Sequence, residues 1–401
     1  MNRVRFIAPP SGPLLVTGAR AALANAAFAH ASPRGPRGHV TLRIAEQDDR
    51  ILPDLRFLGF TWDAIGEPGD HQAAIAHLKA IGRLYPCFEG EVELNAKRDH
   101  RLRRGQPATY DRAMLKMTPE QRAAAEAGGK VPYWRFKLAN RVVNWVDPIL
   151  GRREAKLPAI SDPVLVTAEG APSALLAAIV DDIAQGITHV IRADEGDSTT
   201  GIQIDVLSAL GQNPDATTFA HLPPLAETGR LAIRALRHDG VDSAALVAWL
   251  GLDGPFAWRR LRDKPDPTAL PPLNRAALAR RSFQEVADRL PPGATEPFWL
   301  AIRGHIDLLT EARHWWEVVS EAIFPEIPDG AGRVIQTARA ALPEEPWDGT
   351  TWSTWLAALP LDKADTATLR HLLTGEDDGP DMAALLPLIG RARVLERLRA
   401  T

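Results

Sequence analysis

The sequence predicts an α/β domain of the Rossmann type, a parallel sheet with helices on both faces, carrying an inserted α+β domain and followed by an all-α C-terminal domain. Three observations lead there. Short apolar or β-branched runs alternate with stretches of helical spacing in two separate parts of the N-terminal half. A basic, aromatic stretch lies between those parts. From about residue 274 onward strand signals nearly vanish, and helical spacing takes over.

Residues 4–8 are short and apolar and read as a first strand. Pro9, Pro10 and Pro13 break it, and residues 19–29 are rich in alanine, the best helix former. Residues 40–44 alternate as a second strand, with an amphipathic helix near 52–58. The pattern resumes with a helix at 174–185, a β-branched run at 187–191 that ends at Arg192, and a helical period over 198–210. In open parallel sheets ligands sit beyond the carboxyl ends of the strands, so the loops after the first strand and after Arg192 are the expected site positions. The boundaries follow as 1–80 and 163–273 for the two halves of the sheet domain, 81–162 for the insertion and 274–401 for the helical domain.

The insertion carries Lys97-Arg98-Asp99-His100-Arg101-Leu102-Arg103-Arg104 together with Tyr110, Trp134, Phe136 and Trp145. A solvated surface and a contact to nucleic-acid phosphate both fit such a run. The C-terminal part has helical spacing over 275–290, 296–324, 332–342, 352–359, 365–373 and 382–399, with Pro and Gly at the breaks. Its last segment carries Arg391, Arg393, Arg397 and Arg399.

With 401 residues and a formal charge of −3, the chain has no global attraction for polyanions, so any nucleic-acid binding must come from a local patch. A single cysteine, Cys87, excludes an intramolecular disulfide and a cysteine-based zinc cluster within the chain, and it fits a reducing cytosol. Arg3, Arg5 and Arg20 bracket a loosely apolar run, but its proline-rich turn argues against a signal peptide. No run is long and apolar enough to suggest a membrane span.

Several motifs stand in a telling order. Arg5-Phe6-Ile7-Ala8-Pro9-Pro10-Ser11-Gly12 leads into Leu15-Val16-Thr17-Gly18-Ala19-Arg20, and Leu42-Arg43-Ile44-Ala45-Glu46-Gln47-Asp48 follows. Ile179-Val180-Asp181-Asp182, then Gly186-Ile187-Thr188-His189-Val190-Ile191-Arg192, is the most specific block, with Phe219-Ala220-His221-Leu222-Pro223 after it. Phe298-Trp299-Leu300-Ala301, Leu373-Thr374-Gly375-Glu376 and Pro387-Leu388-Ile389-Gly390-Arg391 complete the set. In this order, from end to end, the chain resembles the glutamyl-tRNA synthetase family of class I aminoacyl-tRNA synthetases. The resemblance implies ATP-dependent attachment of glutamate to tRNA in the cytoplasm, with ATP and magnesium needed by an active chain.

That chemistry passes through a phosphorus centre of spread negative charge, so positioning and electrostatic stabilisation do most of the work. The resemblance assigns this to a HIGH-type motif and a mobile lysine loop. Here the first motif reads Leu15, Val16, Thr17, Gly18, and no histidine precedes His30. Gly229, Arg230 and Leu231 stand where the lysine loop belongs, and no lysine occurs between Lys156 and Lys264. Arg5, Arg192, Asp194 and Gln203 match retained substrate-binding positions of the family, whereas its serine, glutamate and tyrosine there are Pro9, Ala45 and Ala174. Ion pairing of Arg5 and Arg192 with Asp181, Asp182 or Asp194 is the competing structural explanation.

Losing one preorganised donor typically costs ~10²–10³ in rate. No catalytic residue is therefore expected to be intact, which argues against glutamate and ATP as ligands. The expectation is a catalytically degenerate paralogue that keeps a tRNA- or protein-binding scaffold, with tRNA contacts at Lys97, Arg98, Arg101, Arg103, Arg104 and Arg391. The alternatives are an active glutamate–tRNA ligase in which Arg230 or Arg234 replaces the lost charge, and a repurposed amino-acid or nucleotide enzyme. Some family members hold zinc in the insertion; with only Cys87, Glu89 and Met114 at the corresponding places, no zinc is expected. Asp181 and Asp182 read as architectural, and His189 and His314-Trp315-Trp316 as packing residues.

Overall fold

In a computed structural model the described residues are 1–31, 37–44 and 50–399. They form two compact units, one of residues 1–233 with 254–264, the other of residues 234–253 with 265–401. The first unit opens with β1 (Arg3–Ile7), α1 (Val16–His30), β2 (His39–Arg43), α2 (Leu52–Phe57), β3 (Ala64–Ile65) and α3 (His71–Ala80). It continues with β4 (Leu84–Cys87), α4 (Glu91–Arg103), α5 (Pro119–Ala127), β5 (Tyr133–Phe136), β6 (Val142–Asp147), β7 (Gly151–Lys156) and β8 (Val164–Val166). It returns through α6 (Ala174–Ala184), β9 (His189–Ala193), α7 (Asp197–Ala209) and β10 (Thr218–Leu222).

The expected parallel sheet is present. β1 pairs with β2 and β2 with β3, while β9 pairs with β10, all parallel. Thr188 N donates to Arg3 O at 2.9 Å, which sets β9 against the free edge of β1. The order β3-β2-β1-β9-β10 reverses direction between β1 and β9, where doubly wound sheets bind ligands. Val4, Val40, Leu42 and Val190 are fully buried at its centre. The small side chains of α1 let that helix lie close to the sheet, and buried Asn25 ties it down by donating to Ile191 O at 2.9 Å.

The insertion folds on its own antiparallel sheet, β4-β5-β8, and a β6–β7 hairpin. Its strands run on to Val166, past the boundary read from the sequence at residue 162. The strand of residues 164–166 pairs back onto β5.

The second unit is all helical among its described residues, around a core that includes Phe298, Trp299, Trp355, Leu385 and Leu386. Several helices are shorter than the spacing suggests. Residues 296–324 split into Glu296–Ile302 and Ala312–Ser320, because the Glu311 carboxylate accepts from Asp307 N and Leu308 N and starts a new helix there. Residues 382–399 split at Gly390, whose φ of 79° lies in the left-handed region that glycine tolerates. The first helix of the series stops at Leu278 instead of reaching residue 290. Apolar periodicity continued across these breaks, which is why the sequence showed longer runs.

Candidate active site

Three neighbouring strands deliver arginines toward the carboxyl edge of the sheet: Arg5 from β1, Arg43 from β2 and Arg192 from β9. Two are committed to structure. Asp182 on α6 accepts from Arg5 Nε at 3.0 Å and from Arg43 Nη2 at 2.5 Å, and all three side chains are buried. Arg43 also donates to Gln185 Oε1 and Ala178 O. Asp181 accepts from Gly69 N and contacts His71 Nε2 at 2.7 Å. Both aspartates are thus held by partners on neighbouring elements, and Arg5 forms a buried ion pair with one of them.

Arg192 is held differently. Its Nη2 donates to Thr200 Oγ1 at 3.0 Å; among the described residues its nearest carboxylate is Glu195 at 3.9 Å, and its buried Nε has no partner. Burial pushes its pKa down, and the neighbouring Glu195 only partly offsets that. Behind it Thr200 Oγ1 meets His221 Nε2 at 2.9 Å, and His221 Nδ1 meets Asp147 Oδ2 at 2.7 Å. Gln203 is buried, and its Oε1 has no partner among the described residues. Asp194 accepts from Gly196 N at 2.9 Å and lies 3.5 Å from Arg153 Nη2, so it closes its own loop. Pro9 is half-buried and Ala174 exposed, while Ala45 falls outside the described residues.

The signature segments meet each other. Leu15 opens α1 without a side-chain cap, and Val16 N donates to Leu231 O at 2.9 Å. Ile233 N donates to Leu14 O at 2.9 Å, Thr17 Oγ1 donates to Gly229 O at 3.1 Å, and Leu15 bridges Ala232. A helix N-terminus is a ready seat for phosphate oxygens; here the carbonyl of residue 231 accepts the first N–H of α1, and the carbonyl of residue 229 accepts the Thr17 hydroxyl beside it. Gly229 is required by the close approach, since a Cβ there would lie 2.4 Å from Thr17 Oγ1. Leu15 and Leu231 are partly exposed apolar side chains, and Gly18 is half-buried. Arg230 is 78% exposed and lies 3.8 Å from Glu227.

The expected tRNA contacts divide into two groups. Lys97 forms an internal ion pair with buried Glu89, which also accepts from the Tyr110 hydroxyl. Arg101 donates to Pro107 O and Thr109 Oγ1. Arg391 pairs with Glu344 at 2.7 Å and donates to Pro343 O. Arg98, Arg103 and Arg104 are exposed on or just after α4, a helix with no buried residue. The donor set does not fit zinc: Lys97 already neutralises Glu89, and burial pushes the Cys87 thiol up to about 11, which disfavours the thiolate a metal needs. His189 packs its ring 4.5 Å from that of Phe28, and burial lowers its pKa. In the helical unit Trp315 is buried and Trp316 packs edge-on against Phe298, while His314 faces Glu376 at 2.9 Å.

A parallel sheet with this strand order, an insertion between its halves and a helix N-terminus beside the switch point define the architecture of a class I aminoacyl-tRNA synthetase. A family model described as tRNA synthetases class I (E and Q), catalytic domain, matches residues 1–230. Proteins called glutamate–tRNA ligase 2 from Gluconacetobacter diazotrophicus and Granulibacter bethesdensis are 43% and 44% identical, covering 99% and 100% of this chain and 99% of each relative. The chain belongs to the glutamyl-tRNA synthetase family. The first of those alignments spans 442 positions, about forty more than the 401 residues present, so that relative holds stretches without a counterpart here. A crystal structure of glutamate–tRNA synthetase from Elizabethkingia anophelis superposes with a TM-score of 0.76 at 19% identity, covering 99% of this chain and 98% of that one. The glutamate tRNA ligase of Elizabethkingia meningosepticum, solved in complex with its amino acid, gives 0.75 at 20% identity with the same coverage. Both speak for the fold.

Proposed function

We propose that this chain keeps a tRNA-binding scaffold of its family and does not form glutamyl adenylate at an ordinary synthetase rate. The observation that carries this reading is the joining of residues 229–233 to residues 14–17 by two backbone hydrogen bonds and the Thr17 hydroxyl. It sets carbonyl oxygens at the helix end where a triphosphate needs donors and cations. Two or three missing donors correspond to a loss on the order of 10⁴-fold or more, allowing for non-additivity. Exposed Arg98, Arg103 and Arg104 support phosphate contact through the insertion. A tRNA ligand places the work in the cytoplasm.

The test is glutamate-dependent ATP–pyrophosphate exchange, with and without tRNA, beside filter binding of tRNA at low and high salt. Salt-sensitive binding without exchange is expected. Exchange at synthetase-like speed overturns the loss of activation, and absent binding at low salt overturns the scaffold role.

The second reading is an active glutamate–tRNA ligase, using ATP with magnesium. The names of its relatives favour it, as do Arg192 and Gln203 with their unpartnered buried atoms. The same exchange assay decides between the two.

A further inference from the structure

Behind Arg192 lies a line of polar side chains to which the family resemblance assigns no part. Asp147, His221 and Thr200 are 1%, 2% and 0% exposed. Burying three polar groups is costly unless each is satisfied, and here each is satisfied in one direction only.

The direction can be worked out from Asp147. Its Oδ1 accepts from Ile149 N and Leu150 N, and its Oδ2 accepts from His221 N at 3.0 Å. These donors favour the carboxylate: burial pushes its pKa up, but the His221 imidazole and the two loop N–H groups push it down by more. A carboxylate holds no proton, so the 2.7 Å contact to His221 Nδ1 requires N–H on Nδ1. In the neutral ring Nε2 is then an acceptor and takes the Thr200 hydroxyl proton at 2.9 Å. That turns a Thr200 lone pair toward Arg192 Nη2 at 3.0 Å. The hydrogens thus run Arg192 to Thr200 to His221 to Asp147.

We propose that His221 and Thr200 are positioning residues, which fix the rotamer of Arg192 so that its guanidinium receives the carboxylate of an amino-acid ligand. This inference does not rest on the absence of adenylate formation or on tRNA binding. A purely structural staple between β6, α7 and β10 would need no charged terminus. This line ends on a guanidinium that keeps 18% of its side chain exposed and whose nearest carboxylate among the described residues is 3.9 Å away.

The experiment uses the full chain, with L-glutamate as the probe followed by calorimetric titration. Thr200→Val keeps the shape and removes the hydroxyl; Thr200→Ser restores it. The expected result is at least a tenfold loss of glutamate affinity in Thr200→Val, with a little-changed melting midpoint, and near-native affinity in Thr200→Ser. Unchanged affinity in the folded valine variant, or no recovery with serine, overturns the proposal. So does a native protein that ignores glutamate, and in that case intact tRNA binding leaves the scaffold function standing. Should the valine variant not fold, ¹⁵N spectra of the native protein decide. A pyrrole-type Nδ1 and a pyridine-type Nε2 on His221, with signals that shift on adding glutamate, support the line; an imidazolium at neutral pH or no response overturns it.

Discussion

Replacing Asp182 with alanine should loosen the strand ends of the first unit more than any other single change near the site. Its Oδ1 serves Arg5 at 3.0 Å and Arg43 at 2.5 Å, and the three side chains are 7%, 5% and 9% exposed, so water screens them little. Removing the carboxylate leaves two guanidinium groups buried. Arg43 retains neutral acceptors in Gln185 and Ala178, whereas Arg5 has no second acceptor among the described residues. Breaking one buried pair costs about 3–5 kcal/mol, and one carboxylate serving two cations belongs toward the upper end. For a unit of this size each kcal/mol lowers the melting midpoint by roughly 2–4 °C, so the expected shift is on the order of 10 °C. Calorimetry measures it. Hydrogen exchange on peptides spanning 3–7, 39–43 and 174–184 shows whether the loss is local, and Asp182→Asn should cost less. A change below about 1 kcal/mol, with unaltered exchange, would refute the reasoning. It would mean that this carboxylate does not hold Arg5 and Arg43, leaving both available to a ligand.

Arg397→Met should destabilise the helical unit by about 4–5 kcal/mol, because hydrogen bonds to charged groups contribute about 1.5–3 each and three are lost. This guanidinium donates to Leu373 O, Val318 O and Glu321 O at the ends of two helices, and urea titration followed by tryptophan fluorescence reads the loss. Asp147 has a folded-state pKa below the usual carboxylate value, so its contribution is full above about pH 4 and is lost as pH falls through the folded value; Asp147→Asn should flatten stability in that acid window. Gly229→Val should open the contact with Thr17 at a cost of about 1–3 kcal/mol, seen as faster proteolysis between residues 222 and 233. Removing Arg98, Arg103 and Arg104 together should lower the salt slope of tRNA binding by about 2–3 if each meets one phosphate.

The sequence alone gave the parallel sheet, the insertion and the helical second half, because apolar periodicity is local and each strand or helix carries its own signal. It also marked Arg5, Arg192, Asp194 and Gln203 as positions that match the substrate-binding residues of the family. What it hid was pairing. Thr17 meets Gly229 across 212 residues, and His221 meets Asp147 across 74, distances over which no spacing rule operates. The basic run on α4 looked uniform, yet Lys97 is bound inward to Glu89 while Arg98 one residue later is exposed. The last helix hides a partner in the same way: Arg397 is 8% exposed and donates to carbonyls, a burial that a row of four arginines does not show. Charge type is visible in a sequence, but the partner that neutralises it belongs to the fold.

The first unit is not written as one continuous stretch. Residues 254–264 return to it after a passage of twenty residues that belong to the other unit. Buried Arg20 donates to Leu261 O and Asp263 O, Arg262 donates to Ile149 O, and Phe256 and Trp258 pack on the ring of Phe28. During biosynthesis, then, α1 waits for acceptors that leave the ribosome some 240 residues later.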